Sequence, residues 1–284
     1  LAEFQHVDVG EVRLYCRIDG PQDGPPVILL HGFPEFWYGW RAQIAPLAEA
    51  GYRVIVPDQR GYNRSDKPHG VASYRIGALV ADILGLMRRL GLARSSVVGH
   101  DWGGAIAWQL ALRHPAMVSK FAALNIPHPI VMARTLRRSW RQRIRSWYML
   151  VFQLPTLPEA FLRAGNWRPL SAGLRISSAP GTFSDQDLGC YREAWSQPGA
   201  LKAMVNWYRA ALRIPPKPLQ DRRVHVPTLL IWGAKDRFLG EEMAQPSLDL
   251  CDSGRLLKFP AATHWVQHER PEEVNQALLA FLSE

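Results

Sequence analysis

The sequence predicts an α/β fold: a mostly parallel, doubly wound sheet with a helical lid inserted after the sixth strand. Three observations carry this. Strand and helix patterns alternate through the first third of the chain and again near its end, as they do where helices cover a parallel sheet. The runs PVILLHG and YRVIVPD are continuously apolar, as strands buried on both faces must be. VVGHDWGGAIAW, at 97–108, reads as strand, glycine-flanked turn and helix, the shape of an elbow that lifts one side chain clear of a sheet.

In order along the chain, EVRLYCRI sets Val12, Leu14, Cys16 and Ile18 on one face at period two, a half-buried strand. The buried strand PVILL follows, then a helix through FWYGWRAQIAPLAEA that stops at Gly51. After the strand in YRVIVPD, Ile76, Leu79, Val80, Ile83, Met87 and Leu90 recur at helical spacing up to Gly91. The strand SSVVG, a helix halted by Pro115 and the strand MVSKFAALN complete this part. After Pro127 the rhythm breaks, and helix-like segments rich in Trp and Arg fill residues 130–222. It returns with the strand TLLIWG, a helix near 241–250, the strand RLLKFP and a last helix in RPEEVNQALLAFLSE. The expected organisation is therefore a core of residues 1–129 and 223–284 with residues 130–222 as lid. An insertion placed there lies over the carboxyl ends of the strands, where such sheets bind ligands.

Composition narrows the function. The 284 residues are 47% hydrophobic and 21% charged, suited to one large globular unit. No apolar run approaches the roughly 20 residues of a membrane span, so no membrane insertion is expected. The opening LAEFQHVDVGEV lacks the basic start and apolar core of a secretory signal. Cys16, Cys190 and Cys251 form no CxxC or Cys/His spacing, which argues against a disulfide framework or a metal. A cytoplasmic protein is the expectation. The net charge is +9, and residues 133–147 hold six arginines and no acid. Such a segment could attract nucleic acid or an anionic surface. With no nucleic-acid motif beside it, the favoured reading is a solvated helix face whose apolar stems pack inward.

The elbow centres on Asp101 rather than serine. Serine suits attack on acyl carbon. On an sp³ carbon it would form an ether that water does not cleave, whereas a carboxylate forms an ester open to a second attack. Asp101 is anionic near neutral pH without a base, leaving the base free to act on water. An N-cap is the competing role for Asp before a helix, but the flanking Gly99, Gly103 and Gly104 favour a tight functional turn. Asp236 directly follows one strand and His264 the next, in the order nucleophile, acid, histidine. His264 would take a proton from water and Asp236 would orient it; His268 is the competing base. Ester hydrolysis needs an oxyanion hole, for which the backbone N–H groups of Trp102 and Phe33 are the candidates. His31, Gly32 and Pro34 would shape that loop, with Phe33-Pro34 a candidate cis bond. Phe33, Pro34, Trp37 and Trp102 are expected to line an apolar pocket.

HGFPEFWYGWR, VPDQRGYNRSDKP, GHDWGG, WGAKDRFL and HWVQHERPEEVN together closely resemble the α/β-hydrolase-fold epoxide hydrolases of soluble and microbial type. The resemblance runs from about residue 31 to 275 and is weakest in the lid. It implies a cofactor-independent, detoxifying hydrolase that takes a small-molecule epoxide and water, as monomer or homodimer. It also implies two lid tyrosines that hydrogen-bond the epoxide oxygen and protonate the alkoxide: Tyr208, in NWYRA, and Tyr148, in SWYMLVFQLP, with Tyr191 in reserve. Asn63 stands where the family usually has glycine; Asn tolerates left-handed backbone well. The nearest alternative is a haloalkane dehalogenase with the same Asp nucleophile. It would have no use for the tyrosines and commonly carries Asn where Phe33 stands. A non-catalytic binding protein on the same fold is the remote alternative. No GxSxG occurs, which excludes a serine esterase of this type.

Overall fold

The computed structural model of the chain describes residues 3–284; Leu1 and Ala2, which open the N-terminal stretch read above for a signal, lie outside the described residues. Its strands are β1 (Glu3–Asp8), β2 (Arg13–Asp19), β3 (Pro26–Leu30), β4 (Arg53–Pro57), β5 (Ser95–His100), β6 (Val118–Leu124), β7 (Thr228–Gly233) and β8 (Gly254–Phe259). They form one eight-stranded sheet in the order β1-β2-β4-β3-β5-β6-β7-β8. β2 runs antiparallel to both β1 and β4, and every other pair is parallel. β1 has no sequence signal of its own, because only Val7 of its six residues is buried. It is an edge strand held by its ladder with β2.

Alternation along the central strands sorts side chains onto two faces. Val27, Leu29, Val54, Val56, Val98 and Ile231 point to one side; Ile28, Leu30, Ile55, Val97 and Leu230 point to the other. The first face is covered by α1 (Arg41–Glu49) and the C-terminal helix, the second by α2 (Ile76–Arg89) and α3 (Asp101–Arg113). The helix expected from Phe36 onward divides into a 3-10 turn, Trp37–Trp40, and α1. Gly51 and Gly91 take the left-handed backbone that ends their helices, with φ of 89° and 70°. In the turn after β4, Asn63 also takes left-handed backbone, at φ 38°, and its amide donates to Asp58 at 2.8 Å.

Between β6 and β7 the chain carries α4 (Pro129–Arg138), α5 (Trp140–Arg145), α6 (Tyr148–Val151), α7 (Leu157–Ser177), α8 (Asp185–Trp195) and α9 (Ala200–Arg213). α7 is two helical pieces joined at Ala164–Trp167, where the backbone leaves helical geometry. After β7 come α10 (Ala244–Leu248), α11 (Val266–Glu269) and α12 (Pro271–Ser283). Strand order reverses about β3, whose neighbours are β4 and β5. The crevice beyond the carboxyl ends of β3 and β5 is thus the topological switch point, where sheets of this kind hold ligands.

Candidate active site

Two chain segments meet at that crevice. β5 ends at His100, and Asp101 follows at φ 50°, a conformation that costs a non-glycine residue about 1 kcal/mol or more. The loop after β3 approaches so closely that glycine is required on both sides. A Cβ on Gly103 would collide with the Leu30 carbonyl, and one on Gly32 with the Asp101 side chain. Phe33 then donates its backbone N–H to Oδ1 of Asp101 at 2.9 Å, and the Phe33-Pro34 bond that follows is cis.

The third and fourth segments supply the other side chains. Asp236 lies three residues beyond β7, and His264 lies between β8 and α11. His264 Nδ1 is 2.7 Å from Asp236 Oδ2, and its Nε2 is 3.6 Å from Asp101 Oδ2. Asp236 is in turn fixed by the N–H groups of Phe238 at 2.7 Å and Leu239 at 3.0 Å, both on Oδ1. Asn125, just past β6, donates to its Oδ2 at 2.8 Å. The Asn125 side chain also accepts from the Gly233 N–H at 2.9 Å, so it ties β6 to the end of β7. Asp236 and His264 are fully buried, while the Asp101 side chain keeps 14% of its surface.

The electrostatics follow from this spacing. Burial lowers the proton affinity of the His264 imidazole, but the carboxylates of Asp236 and Asp101 outweigh it and raise its pKa to about 10. Burial raises the Asp101 pKa, but the hydrogen bond and charge of His264, with smaller help from His100 and the Phe33 N–H, carry it below the ordinary value. The resting site is therefore an imidazolium between two carboxylates. Such an Asp can attack carbon, and such a His can exchange protons with water.

Above Asp101 lie Tyr148, at the start of α6, and Tyr208, in α9, with ring centroids 5.7 Å apart. Tyr208 packs edge-on against Phe33 at 5.2 Å and Trp102 at 5.1 Å. Burial, then the neighbouring Asp101 charge, raises the Tyr148 pKa; for Tyr208 burial and Tyr148 come first, and the value stands well above the ordinary one. Both phenols thus remain protonated donors. Two cavities, of about 320 and 720 Å³, share Asp101, Tyr148 and Tyr208 as lining. Trp102 borders the smaller; Phe33, Pro34 and His264 border the larger.

Three sequence expectations need correction or resolution. Trp37 does not line either cavity. Its backbone N–H donates to Asp58 Oδ1 at 2.9 Å, and its ring lies against Phe4 and under the Arg17 guanidinium, turned toward the antiparallel edge of the sheet. Tyr191 donates its hydroxyl to Glu35 at 2.7 Å, away from Asp101, so it does not replace Tyr148. His268 also faces Glu35, at 2.7 Å, rather than Asp101. Glu35 went unread in the sequence, yet it is buried and gathers Tyr191, His268, Gln267 and, at 3.2 Å, His100. Asn125 was missed too; its signal was a polar residue closing an apolar strand just before Pro127. Among the described residues no cluster of three or more His, Cys, Asp or Glu could hold a metal ion, and no helix is long and apolar enough to cross a membrane.

Comparison with known proteins gives a consistent picture. The model of the alpha/beta hydrolase fold family matches residues 25–271. The chain is 47% identical over 280 residues to the AB hydrolase superfamily protein YfhM of Bacillus subtilis, covering 98% of this chain and 97% of that protein. It is 38% identical to epoxide hydrolase 1 of Caenorhabditis elegans, over 99% of this chain and 70% of the relative. Among solved structures, the Bacillus megaterium epoxide hydrolase in complex with an inhibitor superposes with a TM-score of 0.90 at 31% identity, over 99% of this chain and 100% of that one.

Proposed function

Because the chain belongs to the α/β-hydrolase-fold family and within it to the epoxide hydrolases, we propose that it opens epoxides to vicinal diols through an ester on Asp101. The observation that carries this reading is the pairing of an elbow carboxylate beside His264 with two tyrosines facing the same carboxylate. A halide leaving group would need no proton donor, whereas an alkoxide does.

In this mechanism Phe33 holds Oδ1 of Asp101 and leaves Oδ2 to attack a ring carbon. The C–O bond of the epoxide breaks, and the alkoxide takes a proton from Tyr148 or Tyr208. The imidazolium of His264 returns that proton through the site and becomes neutral. Esterification makes this step favourable, since it removes the Asp101 charge that helped hold the His264 proton. Neutral His264, oriented by Asp236, then takes a proton from water as the hydroxide adds to the ester carbonyl. The developing oxyanion at Oδ1 is met by the N–H groups of Phe33 and Trp102. Collapse breaks the ester C–O bond, and the departing alkoxide takes the proton of the resulting Asp101 carboxylic acid, which releases the diol and restores the Asp101 carboxylate beside imidazolium. Residues 130–222 act as the lid of this site, bringing the tyrosines to a core of residues 1–129 and 223–284.

The test is a single turnover in ¹⁸O-labelled water with an aryl epoxide. The ester route gives unlabelled diol and label in the Asp101 carboxylate. Label appearing in the diol on the first turnover would mean direct attack by water and would overturn the proposal.

A further inference from the structure

The same segment that supplies Tyr148 presents an unusual outer surface. Between Asp101 and Glu159 the chain contains no acidic residue, and six arginines fall between positions 134 and 145. α5 is pinned on its inner side by Gln142, which is fully buried. Its amide donates to the Phe238 carbonyl at 2.7 Å and to Ser146 at 3.0 Å, and it accepts from the Gly240 N–H at 3.1 Å. That anchor turns the other side of α5 and α6 to solvent. Trp147, Leu150 and Phe161 are 61%, 69% and 63% exposed there, and Trp140 and Ile144 are exposed as well.

Burying such residues would remove a substantial apolar area from water, and an exposed cluster of this kind marks an interaction surface. Arg138 and Arg141 lie beside Trp140, lining one surface cavity with it, and Arg137 and Arg143 flank them in sequence; all four are exposed and none is in an ion pair among the described residues. We propose that this face of the lid docks on an anionic lipid bilayer, with Trp140, Trp147 and Leu150 entering the headgroup region and the arginines meeting lipid phosphates. Interleaved tryptophan and arginine are the two signals stable interfacial binding needs, apolar insertion and charge. A second copy of the chain is a poor occupant, since a two-fold contact would set these arginines against their own equivalents. Read from sequence alone, the segment passed for a solvated face; what changes the reading is that the apolar residues between the arginines are also outside.

The docking surface opens on the site. Ile144, Trp147, Leu157 and Phe161 line the 720 Å³ cavity that reaches Asp101, so a docked lid would take apolar substrate from the bilayer. This last step rests on the proposed epoxide chemistry; the docking itself does not.

The test is flotation of the full chain with phosphatidylcholine vesicles, with and without phosphatidylglycerol, read as bound protein rather than as turnover. Binding to the anionic vesicles is expected, weakening with salt. At roughly 1 kcal/mol per arginine near the surface, Arg141→Gln/Arg143→Gln should bind about 30-fold more weakly. Trp140→Ser/Leu150→Ser, which changes neither cavity, should also lose binding while keeping turnover of a water-soluble epoxide. Absence of binding, equal binding to neutral vesicles, or wild-type binding by both variants would overturn the proposal. So would a dimer in sedimentation that Trp140→Ser/Leu150→Ser dissociates. Because every one of these overturning outcomes is read as binding or association rather than as turnover, it would leave the proposed chemistry standing.

Discussion

The Nε2 of His264 stands 3.6 Å from Oδ2 of Asp101, while its Nδ1 is 2.7 Å from Asp236. One imidazole thus serves two carboxylates, one buried and one partly open to the cavities, and its charge is the link between the stability of the site and its chemistry.

That link has a definite dependence on pH. The folded pKa of His264, about 10, lies above its ordinary 6.5. Its contribution is therefore complete below pH 6.5 and is lost as pH rises toward about 10. Asp101 has a lowered pKa, so its contribution is present above its ordinary 3.8 and fades as pH falls. The melting temperature of the wild type minus that of His264→Gln should narrow steadily from pH 6.5 to 10. A gap that stays constant or widens across that window would show that no imidazolium is stored in the resting site.

The two tyrosines should behave as alternate donors to one oxygen. Tyr208→Phe or Tyr148→Phe should each slow ester formation on an epoxide by about 100-fold or more, and the double variant further still. Phenylalanine at 208 retains the ring contacts with Phe33 and Phe152, and at 148 those with Phe152 and Phe238, so the melting temperature should barely change. Stopped-flow measurement of the tryptophan signal during ester formation would separate the two effects. Unaltered ester formation in the double variant would remove the tyrosines from the reaction.

Asn125 should act through Asp236. Its φ of 46° favours glycine among replacements, and Asn125→Gly removes the side chain without adding backbone strain. Losing a hydrogen bond to a charged group costs about 1.5–3 kcal/mol, which corresponds to a loss of roughly 10- to 100-fold if it falls on the hydrolytic step. Ester hydrolysis should slow while ester formation does not. Equal loss in both steps would mean that Asn125 only holds β6 to β7.

How much could be read in advance depended on whether a residue's job left a local mark. The elbow around Asp101 did, because the close approach of Leu30 to Gly103 forces glycines into the sequence. Asp236 and His264 did, because each follows an apolar strand. The buried strands announced themselves by continuous apolar runs, whereas β1, exposed along most of its length, could not. Trp37 was misplaced because aromatic character says nothing about direction; only the fold decides that it turns to Arg17 rather than to the site. Glu35 and Asn125 act through partners more than a hundred residues away, a relationship that no window of sequence displays. Tyr148 and Tyr208 are legible only through the family resemblance, and the cavities they share with Asp101 arise from tertiary packing.

The proposed ester on Asp101 can be trapped and weighed by intact-protein mass spectrometry of His264→Gln exposed to an aryl epoxide. With the base removed, alkylation should proceed and hydrolysis should stall. The expected adduct equals the whole epoxide mass, maps to Asp101 by proteolysis and is absent when Asp101→Ala is added. No epoxide adduct, with one appearing instead from a short haloalkane at the alkyl mass less one hydrogen, would contradict the epoxide reading and reduce the tyrosines to packing.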